Sequence, residues 1–539
     1  MTDLASPLPD SPDTSRRFYP QDLLSGLLVF LVALPLCLGI AEASDAPLFS
    51  GLLAGIVGGL VVAVLSGSHT SVSGPAAGLT AVVASQIASL GSFEAFLVAV
   101  LLAGVIQLAL GAIRAGTLAN YFPISVIKGL LAAIGVILIL KMAPKMIGHD
   151  AALGISDLNS LSQIQSTVSG LNPMAAIIGL GSLVFLLVWA RVPKLKASSI
   201  PAPLLVVVVG AAITLLLQKM AADSKWVIPT SHLVEVPVAK GMSDLKVFLT
   251  FPDFSALGSS QVYVAAIVIA VVASLETLIN LEAVDNIDPE GRVSPKNREL
   301  FAQGAGNIVC GLIGGLPITS VIIRSSVNID AGVKTRMSAI SHGFLLVGCV
   351  LAIPGLLNAI PLSVLGAILL VTGFKLASLT LFRQMWSGGM NKFLPFVITV
   401  VAIVLIDLLS GVLIGLAIAI VFVLRGALQT PFSLDSENQS DGDVHRLRLS
   451  NQATFLNQAT LSKTLEEVPD GSHVLLDATS THHLDPDIES LLIEFISSTA
   501  PEHGIKVSMT GFDQLQSLGD RMHFPEHVVQ PDPGSGDSS

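Results

Sequence analysis

A carboxylate stands deep inside one of the long apolar stretches of the sequence, VVASLETLINLEAVDNID. Ionisable side chains are costly in such surroundings, so Glu276 is a functional candidate before anything else is considered. On a helix Glu276 and Asn280 share one face, and Thr277 lies beside them. A carboxylate and an amide that face a cavity can hold a proton or a sodium ion. These three residues are the candidate coupling-ion site; the alternative is a carboxylate that only ties helices together.

An arginine marks a second unusual stretch, Leu316–Ile329 (LPITSVIIRSSVNI), which is apolar but rich in hydroxyl residues. A guanidinium is always charged, and its fork of N–H donors suits planar or tetrahedral oxyanions. The hydroxyls of Thr319, Ser320 and Ser325 stand close to Arg324 in the sequence. We therefore expect this stretch to attract an anion, unless Arg324 serves as a structural counter-ion for the carboxylate of Glu276.

A similar stretch, Ser71–Ile87 (SVSGPAAGLTAVVASQI), lies earlier in the chain. Both stretches are too short and too rich in Gly, Pro, Ser and Thr to cross a bilayer alone, which takes about 20 apolar residues. Gly74, Pro75 and Ala76 form a small, open helix start with proline near the first position. A helix that begins inside a membrane presents free N–H groups and the positive end of its dipole, which favour an anion. The alternative is that Gly and Pro only permit close helix packing here.

The composition places these residues in an integral membrane protein. Hydrophobic residues make up 52% of the 539 and charged residues only 12%, too few to cover a soluble surface of this size. The net charge of −11 argues against nucleic-acid binding. The three cysteines lie in apolar stretches and predict neither disulfides nor a metal site, and no nucleotide-binding loop or nucleophile constellation indicates an enzyme. We expect no cofactor beyond a coupling H⁺ or Na⁺.

Apolar segments recur along the first 429 residues. About twelve are long enough to span a bilayer, and the two interrupted stretches bring the total to about fourteen between residues 22 and 429. The interruptions fall in the third and tenth segments, which predicts an inverted repeat of seven plus seven with two half-helices meeting head to head. Lys and Arg in the short loops place both termini, including the segment 1–21, in the cytoplasm. With no cleavable signal in its polar start, the chain should be a multi-pass protein of the cell's inner (plasma) membrane.

Taken together, these residues resemble the SulP family of sulfate permeases, whose animal relatives include prestin and pendrin. The blocks similar to the family's first three, eighth and tenth helices are ALPLCLGIAEASDAPLFSGLLAGIVGGLVVAVLSGSHTSVSGPAAG, ETLINLEAVDNID and GGLPITSVIIRSSVNIDAGVKTRMSA. The resemblance implies a moving core domain and a gate domain. It also implies a site between helices one, three, eight and ten that is lined by Leu36, Cys37, Ala76, Glu276, Asn280, Ile323 and Arg324. Leu36 stands where glutamine is common in the family, and Ile323 where serine is common.

The sequence turns polar after the last apolar segment, and residues 430–443 have a linker composition. Residues 444–525 then alternate strand-like and helix-like patterns, which predicts a small α/β domain. Its place and pattern resemble the cytoplasmic STAS domain that follows the membrane part of SulP proteins. The loop after its central strand reads Leu484-Asp485-Pro486-Asp487, so the phosphorylatable serine of many relatives is missing there. We expect residues 526–539 to be disordered.

The leading hypothesis from the sequence is a secondary active transporter for a small inorganic oxyanion, sulfate or bicarbonate, coupled to a cation or working as an exchanger by alternating access. An anion channel of the same architecture is one alternative. A nucleobase permease is another, although Arg324 argues against a neutral base. The expected partners are the small anion, the lipid bilayer and a second copy of the chain in a homodimer. The sequence leaves open which anion is carried and whether H⁺, Na⁺ or exchange drives it.

Overall fold

Apolar helices dominate the larger of two units in the protein. The computed structural model describes residues 19–116, 123–149, 172–196, 200–220, 227–238, 248–406, 408–429, 432–439, 442–449, 452–453, 457–481 and 483–512. The chain divides into the units Met1–Leu416 and Ala417–Ser539, with the division inside the last apolar helix.

The main helices of the first unit follow one another along the chain. The first seven are α1 Pro20–Ala43, α2 Leu48–Leu65, α3 Ala77–Leu90, α4 Phe93–Ala112, α5 Ile124–Met146, α6 Pro173–Arg191 and α7 Ala202–Met220. The next seven are α8 Ser260–Ile287, α9 Lys296–Ile313, α10 Ile322–Asp330, α11 Met337–Ala352, α12 Leu362–Leu376, α13 Met390–Leu405 and α14 Leu408–Gln429. A π-helical turn at Gly58–Val62 interrupts α2, and a short helix, Leu379–Ser387, follows α12.

Within the described residues, eight helical segments are long and apolar enough to cross a bilayer. They are α1, α2, α4 to α8, and the segment Leu362–Ser387. The shorter apolar helices are Ala77–Leu90, Met337–Ala352, Met390–Leu405 and Ser410–Arg425. Helices suit a bilayer because every backbone polar group is paired inside the segment. The protein is therefore a multi-pass helical membrane protein, while the total of fourteen segments and the seven-plus-seven repeat stay predictions.

The helices of the first unit pack as two bundles. In the first bundle α4 packs against α8 and α9, while α1 packs against α2, α10 and α11. In the second bundle α5 packs against α12 and α13, and α6 packs against α7 and α12. Contacts of α1 with α7 and α12, and of α3 with α5, join the two bundles. The packing thus separates the helices that carry the predicted site from those that do not.

Two short strands stand before α3 and α10, inside the first bundle. Strand β1, Ser73–Pro75, pairs antiparallel with β2, Ile318–Ser320, so that Gly74 lies opposite Thr319. Both strands are fully buried, and their pairing satisfies backbone groups that would otherwise be orphaned at membrane depth. The interruptions that the sequence predicts in Ser71–Ile87 and Leu316–Ile329 coincide with these strands and with the helix starts behind them.

The second unit contains a four-stranded sheet. Its strand order is β3 Phe432–Gln439, β4 Gly442–Leu449, β6 His473–Asp477 and β8 Lys506–Thr510, with β3 antiparallel to β4 and the others parallel. A separate parallel pair joins β5 Gln452–Ala453 to β7 His483–Leu484. Helices α15 Gln458–Glu466 and α16 Pro486–Glu494 add Leu461 and Ile488 to a buried core with Leu447 and Leu476. The α/β alternation expected from the sequence is present.

An ion pair joins two strands of this sheet. The guanidinium of Arg446 donates to Asp477 Oδ2 from Nε at 3.0 Å and from Nη2 at 2.7 Å, and Thr479 donates to Oδ1 at 2.6 Å. Burial raises the pKa of Asp477, but the hydrogen bonds from Thr479 and Arg446 outweigh it and hold the pKa below its ordinary value.

The structure corrects the prediction of a linker at residues 430–443. Residues Phe432–Gln439 instead form the edge strand β3, which pairs with β4 along its whole length. Polar residues with little strand propensity are acceptable there, because an edge strand has only one neighbour and its pairing rests on backbone hydrogen bonds. The end of the predicted α/β domain, residues 513–525, the tail 526–539 and most of the segment 1–21 lie outside the described residues, except that α1 already begins at Pro20.

Candidate functional site

The predicted half-helices begin side by side. Helix α3 follows β1 and helix α10 follows β2, and the residues before them, Ala76 and Val321, are extended and provide no side-chain cap. The N–H group of Val321 donates to the carbonyl of Val72 at 3.0 Å, which extends the pairing by one step. Neither helix start is capped by the side chain of its own N-cap residue, and both present their positive ends next to the paired strands.

Arg324 is fully buried beside these helix starts. Its Nη2 lies 3.3 Å from the sulfur of Cys37 and 3.4 Å from the carbonyl oxygen of Pro75. Among the described residues, neither Nε nor Nη1 has a hydrogen-bond partner. Gly74 makes room for this guanidinium, because a Cβ at that position would collide with Nη1. A buried charge with unused donors is costly unless an acceptor of opposite charge completes it.

Glu276 reaches the start of α3 from α8. The backbone N–H of Gly78 donates to its carboxylate, and a Cβ at Gly78 would overlap the carboxylate. The second oxygen, Oε2, is buried and has no hydrogen-bond partner within the described part of the chain. Glu276 thus occupies the positive end of α3 and keeps one acceptor unused.

Asn280 and Thr277 tie α8 to the other half-helix. The amide of Asn280 donates to the carbonyl of Ser320 at 2.7 Å, and the N–H of Ser320 donates to Thr277 Oγ1 at 3.4 Å. No ion pair between Glu276 and Arg324 occurs in the described structure, so the arginine is not the direct counter-ion of that carboxylate. Glu276 reaches Gly78 from α8, and Arg324 reaches Gly74 and Pro75 from α10.

Several of the predicted site hydroxyls have structural partners. Ser325 Oγ accepts the N–H of Val72 at 2.9 Å and donates to Val321, and Ser320 Oγ shares a hydrogen bond of 2.7 Å with Ser71. Thr319 is fully buried within β2. The two serines join the strand segments, and none of these hydrogen bonds goes to Arg324.

The apolar candidates differ in their placement. Leu36, Cys37 and Ala76 are buried, and only Cys37 touches the guanidinium in a recorded contact. Ile323 is 37% exposed, on the side of α10 away from the fully buried Arg324. The structure therefore brings together Cys37, Gly74, Pro75 and Arg324 on one side, and Gly78 with Glu276 on the other.

A set of polar residues on α9 was missed by the sequence reasoning. Glu299, Gln303 and Asn307 are fully buried and hydrogen-bond to the strands or to residues beside them. Their spacing of four residues within a predicted span was the available signal, because polar groups inside spans are costly and mark sites.

Ion pairs join the two bundles at one end. Lys141 Nζ on α5 lies 2.6 Å from Asp45 Oδ2 in the loop after α1, and Lys145 pairs with Glu42 at the end of α1. Asp45 has a φ of 53°, a left-handed conformation that costs energy for a residue other than glycine. The strained backbone directs its carboxylate to the second bundle.

A bundle of membrane helices with paired chain breaks, a buried arginine and a carboxylate at a helix start defines a polytopic helical membrane protein of the transporter class. Residues 20–402 match the model of the sulfate permease family. The chain belongs to this family, which is one of transporters and not of enzymes.

Relatives and solved structures agree with this assignment. The bicarbonate transporter BicA of Picosynechococcus is 26% identical over 416 residues, which cover 75% of this chain and 70% of that protein. The chloroplastic sulfate transporter 4.1 of Arabidopsis thaliana is 24% identical over 421 residues, covering 76% of this chain and 59% of that protein. The murine solute carrier 26 member A9, described as an anion transporter in the inward-facing state, shares the fold with a TM-score of 0.75 and 18% identity, covering 94% of this chain and 88% of that chain.

Proposed function

We propose that this protein is a secondary active transporter of a small inorganic oxyanion, sulfate or bicarbonate, which works by alternating access. The observation that carries the proposal is Arg324, which is fully buried beside the starts of α3 and α10 and whose Nε and Nη1 have no hydrogen-bond partner among the described residues. An oxyanion supplies several acceptors to such a set of donors. The transport of bicarbonate and of sulfate for which these relatives are named supports the same class of substrate.

The proposed driving ion acts at Glu276. Its Oε2, which has no hydrogen-bond partner among the described residues, is an acceptor for a proton or, together with Asn280 and Thr277, an oxygen ligand for sodium. Either ion neutralises a negative charge close to the bound anion, so the anion and the cation would favour each other's binding. This reciprocity is the physical basis for coupling, and without a cation gradient the same site would exchange anions.

The surrounding organisation is part of the proposal. We expect fourteen segments in a seven-plus-seven inverted repeat, both termini in the cytoplasm and the protein in the cell's inner (plasma) membrane. The second unit would be a cytoplasmic STAS-like domain, and the chain would form a homodimer. The two bundles of the first unit correspond in this proposal to a core that moves with the site and a gate.

Transport by purified protein in proteoliposomes tests the substrate. Uptake of labelled sulfate and of labelled bicarbonate is measured with a proton gradient and, separately, with a sodium gradient. Arg324→Ala should raise KM by about 10- to 150-fold, the effect of losing a charged hydrogen bond of about 1.5–3 kcal/mol, and Arg324→Lys should raise it less. Arg383→Ala, which removes an exposed arginine from the second bundle, is the matched control. Unchanged KM in Arg324→Ala would contradict the proposed site.

The coupling is tested on the carboxylate. Glu276→Gln keeps the size of the side chain and fixes its charge at zero, so gradient-driven accumulation should vanish while anion exchange persists. Glu282→Gln on the same helix is the control, because that carboxylate is 58% exposed and pairs with Lys296. Accumulation by Glu276→Gln under the gradient that drives the wild type would show that the coupling site lies elsewhere.

A further inference from the structure

A row of buried polar side chains on α9 faces the two short strands. Glu299, Gln303 and Asn307 follow one another at four-residue intervals, and all three are fully buried. We call these three residues the α9 ladder. Residues four apart lie on one face of a helix, so the ladder presents its polar groups in a line.

Asn307, the last residue of the α9 ladder, hydrogen-bonds to β2. Asn307 Oδ1 accepts the N–H of Ile318 at 2.7 Å, and its Nδ2 donates to the carbonyl of the same residue at 3.2 Å. Nδ2 also donates to Gln107 at 2.6 Å, so the orientation of the amide is fixed from two sides. Both backbone groups of Ile318 are thereby satisfied by one side chain.

Glu299 and Gln303, the other two residues of the α9 ladder, are linked to β1. Gln303 Nε2 donates to Glu299 Oε1 at 2.9 Å and to Ser73 Oγ at 2.6 Å, which uses both of its hydrogens. The other carboxylate oxygen, Glu299 Oε2, accepts the hydroxyl of Ser66. Because a carboxylate only accepts, Glu299 determines that Gln303 turns its nitrogen, and not its oxygen, toward Ser73.

The hydrogen bonds from Glu299 through Gln303 to Ser73, which we call the relay, fix a position of β1 that is next to Arg324. Ser73 directly precedes Gly74 and Pro75, the two residues against which the guanidinium of Arg324 lies. The contact between Arg324 Nη2 and the carbonyl of Pro75 measures 3.4 Å, which is already long for a hydrogen bond. A small displacement of β1 would therefore remove it and change how the arginine is aimed.

We propose that Glu299 is a positioning residue for the anion site, which acts through Gln303 and Ser73 to hold β1 against Arg324. The inference rests on the proposed function, because it assigns Glu299 a role in anion affinity. Its negative charge is not what matters in this role: the required property is an acceptor that orients the amide of Gln303.

Four variants separate positioning from general stability. Glu299→Leu removes the acceptor, and Ser73→Ala removes the far end of the relay. Glu299→Gln can still accept from Gln303 and can donate to the hydroxyl of Ser66, so it is the conservative rescue. Ser66→Ala is the matched control, because it removes the other hydrogen bond of the same carboxylate and leaves the relay to β1 intact.

Anion uptake by equal amounts of folded protein in proteoliposomes gives the expected pattern. Glu299→Leu and Ser73→Ala should each raise KM about tenfold, the effect of one lost hydrogen bond in a buried network. Glu299→Gln and Ser66→Ala should keep a KM near that of the wild type. The double variant Glu299→Leu/Ser73→Ala should be no worse than the more severe single one, because both break the same chain of contacts.

A readout without substrate tests the relay by itself. In detergent micelles, hydrogen exchange of the Val321 amide, which donates to Val72 across the strands, should become faster in Glu299→Leu but not in Glu299→Gln. If Ser66→Ala raised KM as much as Glu299→Leu, or if the double variant showed the two effects multiplied, the proposal would be wrong and Glu299 would only stabilise the fold. If the wild type transported neither anion, the proposed function would fail, and the exchange rates alone would still decide whether the relay exists.

Discussion

Gly78→Ala is the sharpest single perturbation of the carboxylate site. The added Cβ would lie 2.6 Å from Glu276 Oε2 and closer still to Oε1, where real Cβ atoms are essentially never found below 3.0 Å. The carboxylate is the free end of a side chain, so it can withdraw and the protein should still fold. Its withdrawal breaks the hydrogen bond from the backbone N–H of residue 78, although the alanine itself retains that N–H group.

The size of the effect follows from that one hydrogen bond. A bond to a charged acceptor contributes about 1.5–3 kcal/mol, which corresponds to about 10- to 150-fold in an equilibrium constant. We expect gradient-driven accumulation of the anion to fall by at least about tenfold. Exchange of anions in the absence of a gradient should change much less, because Arg324 and β1 are not displaced.

The assay compares uptake with and without an imposed cation gradient for wild type, Gly78→Ala and Gly348→Ala. Gly348 on α11 has open space around it, so an alanine there tests the effect of a methyl group alone. In a Glu276→Gln background, Gly78→Ala should cause little additional loss of coupling, because the charged partner is already gone. Full coupling in Gly78→Ala would refute the reasoning that the carboxylate works at this helix start.

Three further perturbations have defined outcomes. Gly74→Ala places a Cβ against Nη1 of Arg324 and should raise the KM for the anion by about tenfold with normal protein levels, as measured by uptake; an unchanged KM would show that the guanidinium is not confined there. A carbodiimide activates a carboxylate so that a contacting amine displaces the activating group and forms an amide, so it should join Lys141 to Asp45. This cross-link should stop transport in the wild type but not in Asp45→Asn/Glu42→Gln, because the proposed alternating access separates the two bundles at this end; transport by the cross-linked protein would contradict that motion. Asp477→Asn should destabilise the second unit by about 1 kcal/mol near neutral pH, measured by thermal unfolding followed by circular dichroism. Because the pKa of Asp477 is lowered in the folded protein, its carboxylate contributes to the free energy of unfolding above the ordinary pKa of 3.8, and this contribution is lost as the pH falls through the folded pKa. The difference in stability between variant and wild type should therefore disappear in acid. A difference that persists in acid would assign the effect to packing.

The sequence predicts where the chain is interrupted, because glycine and proline at 74 and 75 cannot continue an apolar helix and local composition carries that signal. It does not predict that Ser73 pairs with Ser320, since nothing local records a contact between residues so far apart. Arg324 and Glu276 stand out as charges in apolar surroundings. The structural roles of Ser320 and Ser325 cannot be predicted in this way, because a hydroxyl can bind a ligand or a protein group equally well and the partner is known only from the folded structure.

The same limits explain why the sequence does not predict the role of Glu299 or the strand β3. Glu299 lies at the edge of its apolar segment, where a carboxylate usually reaches water, and its burial depends on the packing of α9 against α2 and on the contact with Ser66, which directly follows α2. Strand β3 has the composition of a linker, and its pairing with β4 is a property of the neighbour more than of its own residues.

The pairing of β1 with β2 also has a consequence for how the protein is made. Ser71 and Ser320, which hydrogen-bond beside the paired strands, are 249 residues apart. At synthesis rates of 5–20 residues per second, roughly 12–50 s pass between the appearance of the first strand at the ribosome and that of the second. During this interval β1 has no partner strand, although unpaired backbone groups are costly in a bilayer. The nascent chain must keep them in water, against the insertion machinery or with a chaperone, and products that end before α10 should be unstable and open to membrane quality control.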